Sequence, residues 1–166
     1  MRGSADAVVI GGGVSGASIA YNLMKQGVGN VVLCEKDTFA NGSTGRCGAG
    51  VREQWGAEAN VRICKAAIDI FENLQEELEY EYDIEFVQKG YLMMAYTEKE
   101  WSQFQKNVEV QHKLGVNSRV CTPEEAKEIV PVLNTDGMLG ATYNARDGHA
   151  NPFHTTNAYL KAFERL

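Results

Sequence analysis

Proline, histidine and cysteine are all scarce in this chain of 166 residues, which has three prolines, three histidines and four cysteines. So little proline leaves no material for a Pro-rich linker, and a hydrophobic content of 44% points to a folded globular chain. Cys34, Cys47, Cys64 and Cys121 show no Cys-x-x-Cys spacing and no histidines beside them, which excludes a zinc centre and a dithiol redox motif. The expectation is a reduced, cytoplasmic protein, with disulfides entering only if the source is a hyperthermophile. Positive charge is in deficit as well: 16 Lys and Arg against 22 Asp and Glu give a net charge of -6. That balance favours solubility and argues against nucleic acid or an anionic membrane as a partner. Long hydrophobic runs are missing. The stretch 7–14 is too short to cross a bilayer and is dominated by glycine where a signal peptide needs a continuous apolar helix, so neither a span nor a targeting segment is expected.

What the chain does have is glycine, 17 residues of it, and the placement is informative. Residues 6–10 read as a short apolar strand that runs straight into Gly11, Gly12 and Gly13. From 14 to 26, Ala17, Ala20, Leu23 and Met24 recur at helical spacing, and Gly27 stands where a C-terminal breaker belongs. Val31, Val32 and Leu33 form a second strand ending at Cys34 and Glu35. A strand, glycine turn, helix and strand in this order open a doubly wound parallel sheet. In the pattern Gly11-x-Gly13-x-x-Gly16, the first glycine permits a tight turn, the second lets a phosphate approach the backbone, and the third lets the helix pack on its strand. The free N–H groups at the helix start, with the positive end of its dipole, suit a pyrophosphate. Glu35, 24 residues after Gly11, is placed to accept bonds from ribose hydroxyls and disfavours a phosphorylated ribose. Taken alone, this unit reads as a site for the ADP part of either FAD or NAD.

Further along, the segment 41–56 is rich in glycine and small polar residues, with Arg46 and Arg52 inserted, and reads as a functional loop. Ala59, Ile63, Ala66, Ile70, Leu74 and Leu78 then repeat at three- and four-residue intervals, predicting one helix of about five turns. Two aromatic and β-branched runs flank Gln88, Lys89 and Gly90 within 83–96, predicting a hairpin. Thr97 with Glu100 predicts a capped helix that Gly115 ends, and Thr122, Pro123 and Glu125 predict a short helix stopping before Pro131. Residues 138–143 read as a strand, and Asn151 followed by Pro152 starts a last helix. With no stop signal before Leu166, that helix is expected to be interrupted and the polypeptide to be the first part of something longer.

The runs IGGGVSGASIAYNLMKQG, VVLCEKD, NGSTGRCGAGVREQWG and ARDGHANPFHTTNAYLKAF together resemble the N-terminal part of the D-amino acid oxidase-like FAD-dependent oxidoreductases. That family includes glycine oxidase and the β subunits of sarcosine oxidase and proline dehydrogenase. The resemblance implies an α/β, doubly wound FAD/NAD(P)-binding domain of the glutathione-reductase-like kind, joined to the start of an α+β substrate domain. It divides the chain into 1–82, 83–145 and a returning segment 146–166. Its implied cofactor is FAD. Gly11, Gly13, Val14, Ser15 and Gly16 would surround the pyrophosphate, and Glu35 and Lys36 the adenosine end. Gly42, Ser43, Thr44 and Arg46 would follow the phosphates and flavin, and Cys47, Gly48, Ala49, Gly50 and Val51 would run beside the flavin ring. Arg52 would be the catalytic-site arginine.

The implied reaction is oxidation of the C–N bond of an amino acid or secondary amine such as sarcosine, glycine or proline. Hydride passes from the carbon beside nitrogen to flavin N5, and water hydrolyses the imine. Implied partners are that small substrate and, by analogy with the β subunits, other subunits of a hetero-oligomer. A non-catalytic FAD-binding subunit and an NAD-dependent dehydrogenase remain as alternative readings. His112, His149 and His154 read more readily as loop or helix polar groups than as acid–base catalysts.

Overall fold

The computed structural model describes residues 3–166. In chain order its elements are β1 (Ala7–Ile10), α1 (Val14–Lys25), β2 (Val31–Cys34), β3 (Gly50–Val51), α2 (Glu58–Phe71), α3 (Leu74–Glu77), β4 (Tyr91–Ala95), α4 (Glu98–Lys113), β5 (Arg119–Cys121), α5 (Pro123–Ile129), β6 (Gly140–Asn144), β7 (Gly148–His149) and α6 (Pro152–Arg165). They fall into two compact units. Among the described residues one comprises 3–50, Phe71–Phe86 and Ala150–Leu166; the other comprises Val51–Ile70 and Val87–His149.

In the first unit β1 and β2 pair in parallel, in register from Ala7 opposite Val31 to Ile10 opposite Cys34. Parallel neighbours need a crossover, and α1 supplies it. That helix stops where the sequence placed a breaker. Gly27 takes φ +80, its N–H reaches the Met24 carbonyl, and the Val28 N–H reaches the Leu23 carbonyl, which satisfies two terminal carbonyls. Ala17 and Tyr21 on α1 pack with Leu74, Leu78, Ala158 and Leu160 into one core. The Tyr21 and Tyr159 rings lie 5.8 Å apart. Burying Leu74 and Leu78 contributes about 2 kcal/mol each. Helix α6 begins where Asn151 accepts the N–H groups of Phe153 and His154, and Pro152 occupies its first turn.

The second unit is an antiparallel sheet in the order β4-β6-β5. Tyr91 stands opposite Asn144 on one side, and Arg119 opposite Tyr143 on the other. Helices α4 and α5 both start in complete capping boxes, Thr97 with Glu100 and Thr122 with Glu125. Cys121, Ala126, Met138 and Ala141 form a small core here.

Two expectations are corrected. The single helix over 59–78 is broken: α2 ends at Phe71, Asn73 takes φ -119 and ψ 0, and α3 begins at Leu74. The residues after the break serve the first unit's core, while Val61 and Ile68 are the buried positions of α2. Ala59, Ile63, Ala66 and Ile70, read as its apolar stripe, are exposed, Ile63 by 68%. The hairpin over 83–96 is also absent. Phe86 packs on Phe71 in the first unit, Val87 forms only an isolated bridge with His149, and β4 takes β6 as its partner. Strands β5 and β7 had no signal in the alternation of the sequence. Among the described residues no helix is long and apolar enough to cross a membrane.

Candidate functional site

The glycine turn of the first unit is built around open backbone. Gly11 takes φ +111, a conformation L residues rarely adopt. A Cβ on Gly16 would lie 1.8 Å from the Gly11 carbonyl oxygen, so only glycine allows α1 this close to the turn. Helix α1 begins at Gly13 with no side-chain cap and no acidic residue in its first turn. The positive end of a 12-residue helix is thereby left for an external anion.

Two side chains from elsewhere complete the turn. Thr44 Oγ1 accepts the Val14 N–H at 3.1 Å. The loop that carries Thr44 is tied back through the Ala40 N–H to the Gly12 carbonyl (2.9 Å) and the Gly45 N–H to the Ala40 carbonyl (2.8 Å). Glu35 Oε2 accepts the Gly12 N–H at 2.6 Å, and Oε1 accepts the Asp37 N–H at 3.0 Å. The Gly12 amide first, then that of Asp37, holds the Glu35 carboxyl below its ordinary range, so an ionised acceptor is pinned beside the turn. The Phe39 ring covers Gly12 so closely that a Cβ there would lie 2.3 Å from it. A helix start whose own N-cap residue is glycine, a glycine cradle that a Cβ would fill and an oriented carboxylate together fit the ADP half of a dinucleotide.

Arg52 stands at the start of the second unit, half-buried. Its guanidinium lies 4.2 Å from the Trp55 ring centroid and 5.9 Å from that of Tyr91, and its Nη1 reaches Met93 Sδ at 3.8 Å. Its charge is thus held by π faces and a soft sulfur, with no carboxylate within ion-pair distance among the described residues. Beneath it lies a buried polar layer of Glu53, Gln54, Asn144 and Asp147. Burial pushes the Asp147 carboxyl up to about 6, with nearby Glu53 adding to the rise; bonds from the Glu53 amide and Gln54, and the charge of Arg52, oppose it.

The structure therefore brings Gly11, Gly13, Val14, Gly16, Glu35 and Thr44 together. Ser15, Lys36, Gly42, Ser43, Arg46, Cys47, Gly48 and Gly50 are exposed. Cys47 Sγ meets the Thr44 carbonyl at 3.0 Å and accepts the Ala49 N–H at 3.4 Å, which turns the chain through a left-handed Ala49, φ +59, into β3 and Val51. Among the histidines, His112 bonds the Ser118 carbonyl, His154 Nδ1 meets the Tyr80 hydroxyl at 3.1 Å, and His149 is exposed on β7. No group of three potential metal ligands occurs among the described residues. An open acidic cleft of about 590 Å³ in the first unit, lined by Phe71, Glu76, Glu79, Tyr80 and Phe86, includes none of the residues expected to contact cofactor or substrate.

Sequence reasoning missed Phe39, Trp55, Tyr91 and Asp147. Trp55 had a usable signal, an aromatic three residues from an arginine in a small-residue loop. Asp147 lies 94 residues from the amide it binds and had none.

A family model described as FAD dependent oxidoreductase (DAO) matches residues 6–166. The chain is 33% identical over 164 residues to sarcosine oxidase subunit beta of Arthrobacter sp, covering 95% of this chain and 40% of that protein. Among solved structures it is similar to L-proline dehydrogenase from P. horikoshii, with 40% identity, a TM-score of 0.90, and coverage of 99% of this chain and 43% of that one. It is also similar to glycine oxidase from Geobacillus kaustophilus, with 27% identity, a TM-score of 0.84, and coverage of 96% and 44%. The chain spans about two fifths of the length of each of these relatives.

Proposed function

The chain belongs to the DAO family of FAD-dependent oxidoreductases, and from that premise we propose that it serves in oxidising the C–N bond of an amino acid or secondary amine. The observation that carries this reading is Arg52: a charged fork, stacked on Trp55 at 4.2 Å and without an ion-pair partner among the described residues, suits the carboxylate of an amino acid. The names of the relatives, which mention sarcosine, L-proline and glycine, agree with a small carboxylate-bearing amine. Membership in the family also favours FAD over NAD.

In this reading the first unit holds the cofactor's ADP half. Backbone N–H groups of Gly13, Ser15 and Gly16 and the Thr44 hydroxyl, itself held by the Val14 N–H, meet the pyrophosphate, and the ionised Glu35 meets ribose hydroxyls. Ser15, Lys36, Gly42, Ser43, Arg46 and the stretch 47–51 are the further cofactor contacts proposed. FAD, when bound, supplies the hydride acceptor. Arg52 binds and orients the substrate carboxylate, while stacking on Trp55 beside Tyr91 holds the guanidinium in place. The resemblance to a β subunit supports a second proposal, that the chain works alongside other subunits.

The test is a flavin spectrum followed by an amine panel. Purified protein is expected to retain added FAD and to lose its flavin absorption under anaerobic glycine, sarcosine or L-proline, while pyrrolidine, which lacks the carboxylate, is ineffective. Arg52→Lys keeps the charge but loses the fork and the stack; KM for the amino acid should rise about 10- to 100-fold with a smaller change in kcat. Failure to retain FAD sinks the proposal. Retention of FAD with no bleaching by any amine favours a non-catalytic FAD-binding role.

A further inference from the structure

The turn that follows Arg52 is held by a carboxylate from far along the chain. Asp147 is fully buried. Its Oδ1 accepts the Glu53 N–H at 2.8 Å, and its Oδ2 accepts Gln54 Nε2 at 2.9 Å. The same Gln54 nitrogen donates to the Tyr91 carbonyl at 2.8 Å, and Tyr91 supplies one of the two rings beside the Arg52 guanidinium. The other ring, Trp55, is tied to the Arg52 carbonyl through its indole N–H at 3.2 Å. Glu53 is engaged separately: Asn144 donates to it at 2.9 Å, and Arg146, itself paired with Asp69, lies 3.7 Å from its other oxygen. Both oxygens of Asp147 are therefore spent on the residues that carry and flank Arg52.

We propose that Asp147 is the positioning residue of Arg52: its carboxylate fixes the amide and the side chain immediately after Arg52, so that the guanidinium stays stacked on Trp55 beside Tyr91. The functional consequence rests on the reading of Arg52 as the carboxylate anchor. The physical case is one of satisfaction. A buried carboxylate is costly, and here both of its oxygens are bonded; removing it would leave the Glu53 amide and one of the two Gln54 Nε2 N–H groups buried without an acceptor, the other still bonded to the Tyr91 carbonyl. Protonation does part of the same damage, because a neutral carboxyl gives up acceptor strength on one oxygen. The charged groups acting on Asp147 are Glu53, which raises its affinity for a proton, and Arg52, which lowers it.

The chain has two tryptophans, so Trp101→Phe leaves Trp55 as the sole reporter. In that background Asp147→Asn is expected to shift Trp55 emission as Arg52→Ala does, and to remove a change in the parent's emission centred near pH 6. Gln54→Met deletes one arm of the hold while keeping the buried carboxylate, and should give an intermediate shift; it carries the test if Asp147→Asn does not fold. Emission from both Asp147→Asn and Gln54→Met that overlays the parent, while Arg52→Ala shifts it, overturns the proposal. In the FAD-loaded protein the concentration of L-proline that half-perturbs the flavin spectrum should rise about tenfold in Asp147→Asn, an amount worth about 1.4 kcal/mol. If Arg52→Ala leaves that concentration unchanged, the carboxylate-anchor reading fails, and the emission data still decide whether Asp147 holds Arg52.

Discussion

Glu35 in the first unit and Asp147 in the second each accept two hydrogen bonds, yet their protonation is pushed in opposite directions. Glu35 takes the Gly12 and Asp37 amides while remaining open to water, and its carboxyl falls below the ordinary range. Asp147 takes the Glu53 amide and Gln54 Nε2 with no access to water, and burial lifts it to about 6. Donated N–H bonds thus secure a charge only where desolvation does not outweigh them. The difference extends to what each region recognises. The glycine turn presents main chain and a ready charge, whereas the Arg52 region presents side chains whose arrangement depends on a buried, titratable anchor.

The strongest way to break that comparison is at the main chain itself. Gly16→Ala would drive a Cβ into the Gly11 carbonyl, 1.8 Å away, whereas Gly3→Ala, outside the turn, meets nothing within 4 Å. The first is expected to cost about 1–3 kcal/mol of stability and to abolish FAD retention; the second should leave both unchanged. Denaturant unfolding and flavin absorbance measure the pair, and equal behaviour would show that the turn is not the site.

A smaller effect sharpens the electrostatic contrast. Asp147 has a folded pKa raised from 3.8 to about 6, so its contribution to stability is fully present below 3.8 and is lost as pH rises through about 6. Glu35 is lowered from 4.5, so its contribution is present above 4.5 and is lost as pH falls through its folded value. The stability lost by Asp147→Asn should therefore shrink from pH 4 to pH 7, and that lost by Glu35→Gln should grow. Melting curves across pH read both, and slopes of the same sign would contradict the assignment. Around pH 6 global stability and the local hold on Arg52 run against each other, since ionised Asp147 costs the fold but secures the arginine.

The smallest effect concerns Thr44. Thr44→Val removes the acceptor of the Val14 N–H, 3.1 Å away, and should weaken FAD binding about fivefold, the equivalent of about 1 kcal/mol. An unchanged affinity would assign the helix start to its backbone alone.

Much of the first unit was legible because its signals are local. Gly27 ends α1 through bonds to Met24 and Leu23, and the capping boxes of Thr97 and Thr122 close within three residues. The glycine turn and Glu35 were read together because the strand–turn–helix–strand order fixes which ends meet. Thr44 was named as a phosphate contact, and the structure adds its bond to Val14. The face of α2 was misread. Ile63 and Ile70 are as apolar as Val61 and Ile68, and composition alone does not say which stripe meets a core. The hairpin failed for a similar reason: 83–87 has β-like residues, but Phe86 finds an aromatic partner in Phe71.

By itself, then, the sequence determined the parallel βαβ opening, the helix caps and the residue types suited to an ADP group, because each depends on backbone conformations and hydrogen bonds set within a few residues. Only the tertiary structure decided that α2 breaks at Asn73, that Arg52 is stacked and unpaired among the described residues, and that Asp147 anchors its turn. Those outcomes depend on which distant groups share a buried space, where the cost of desolvation and the reach of a hydrogen bond choose among residues that look equivalent along the chain.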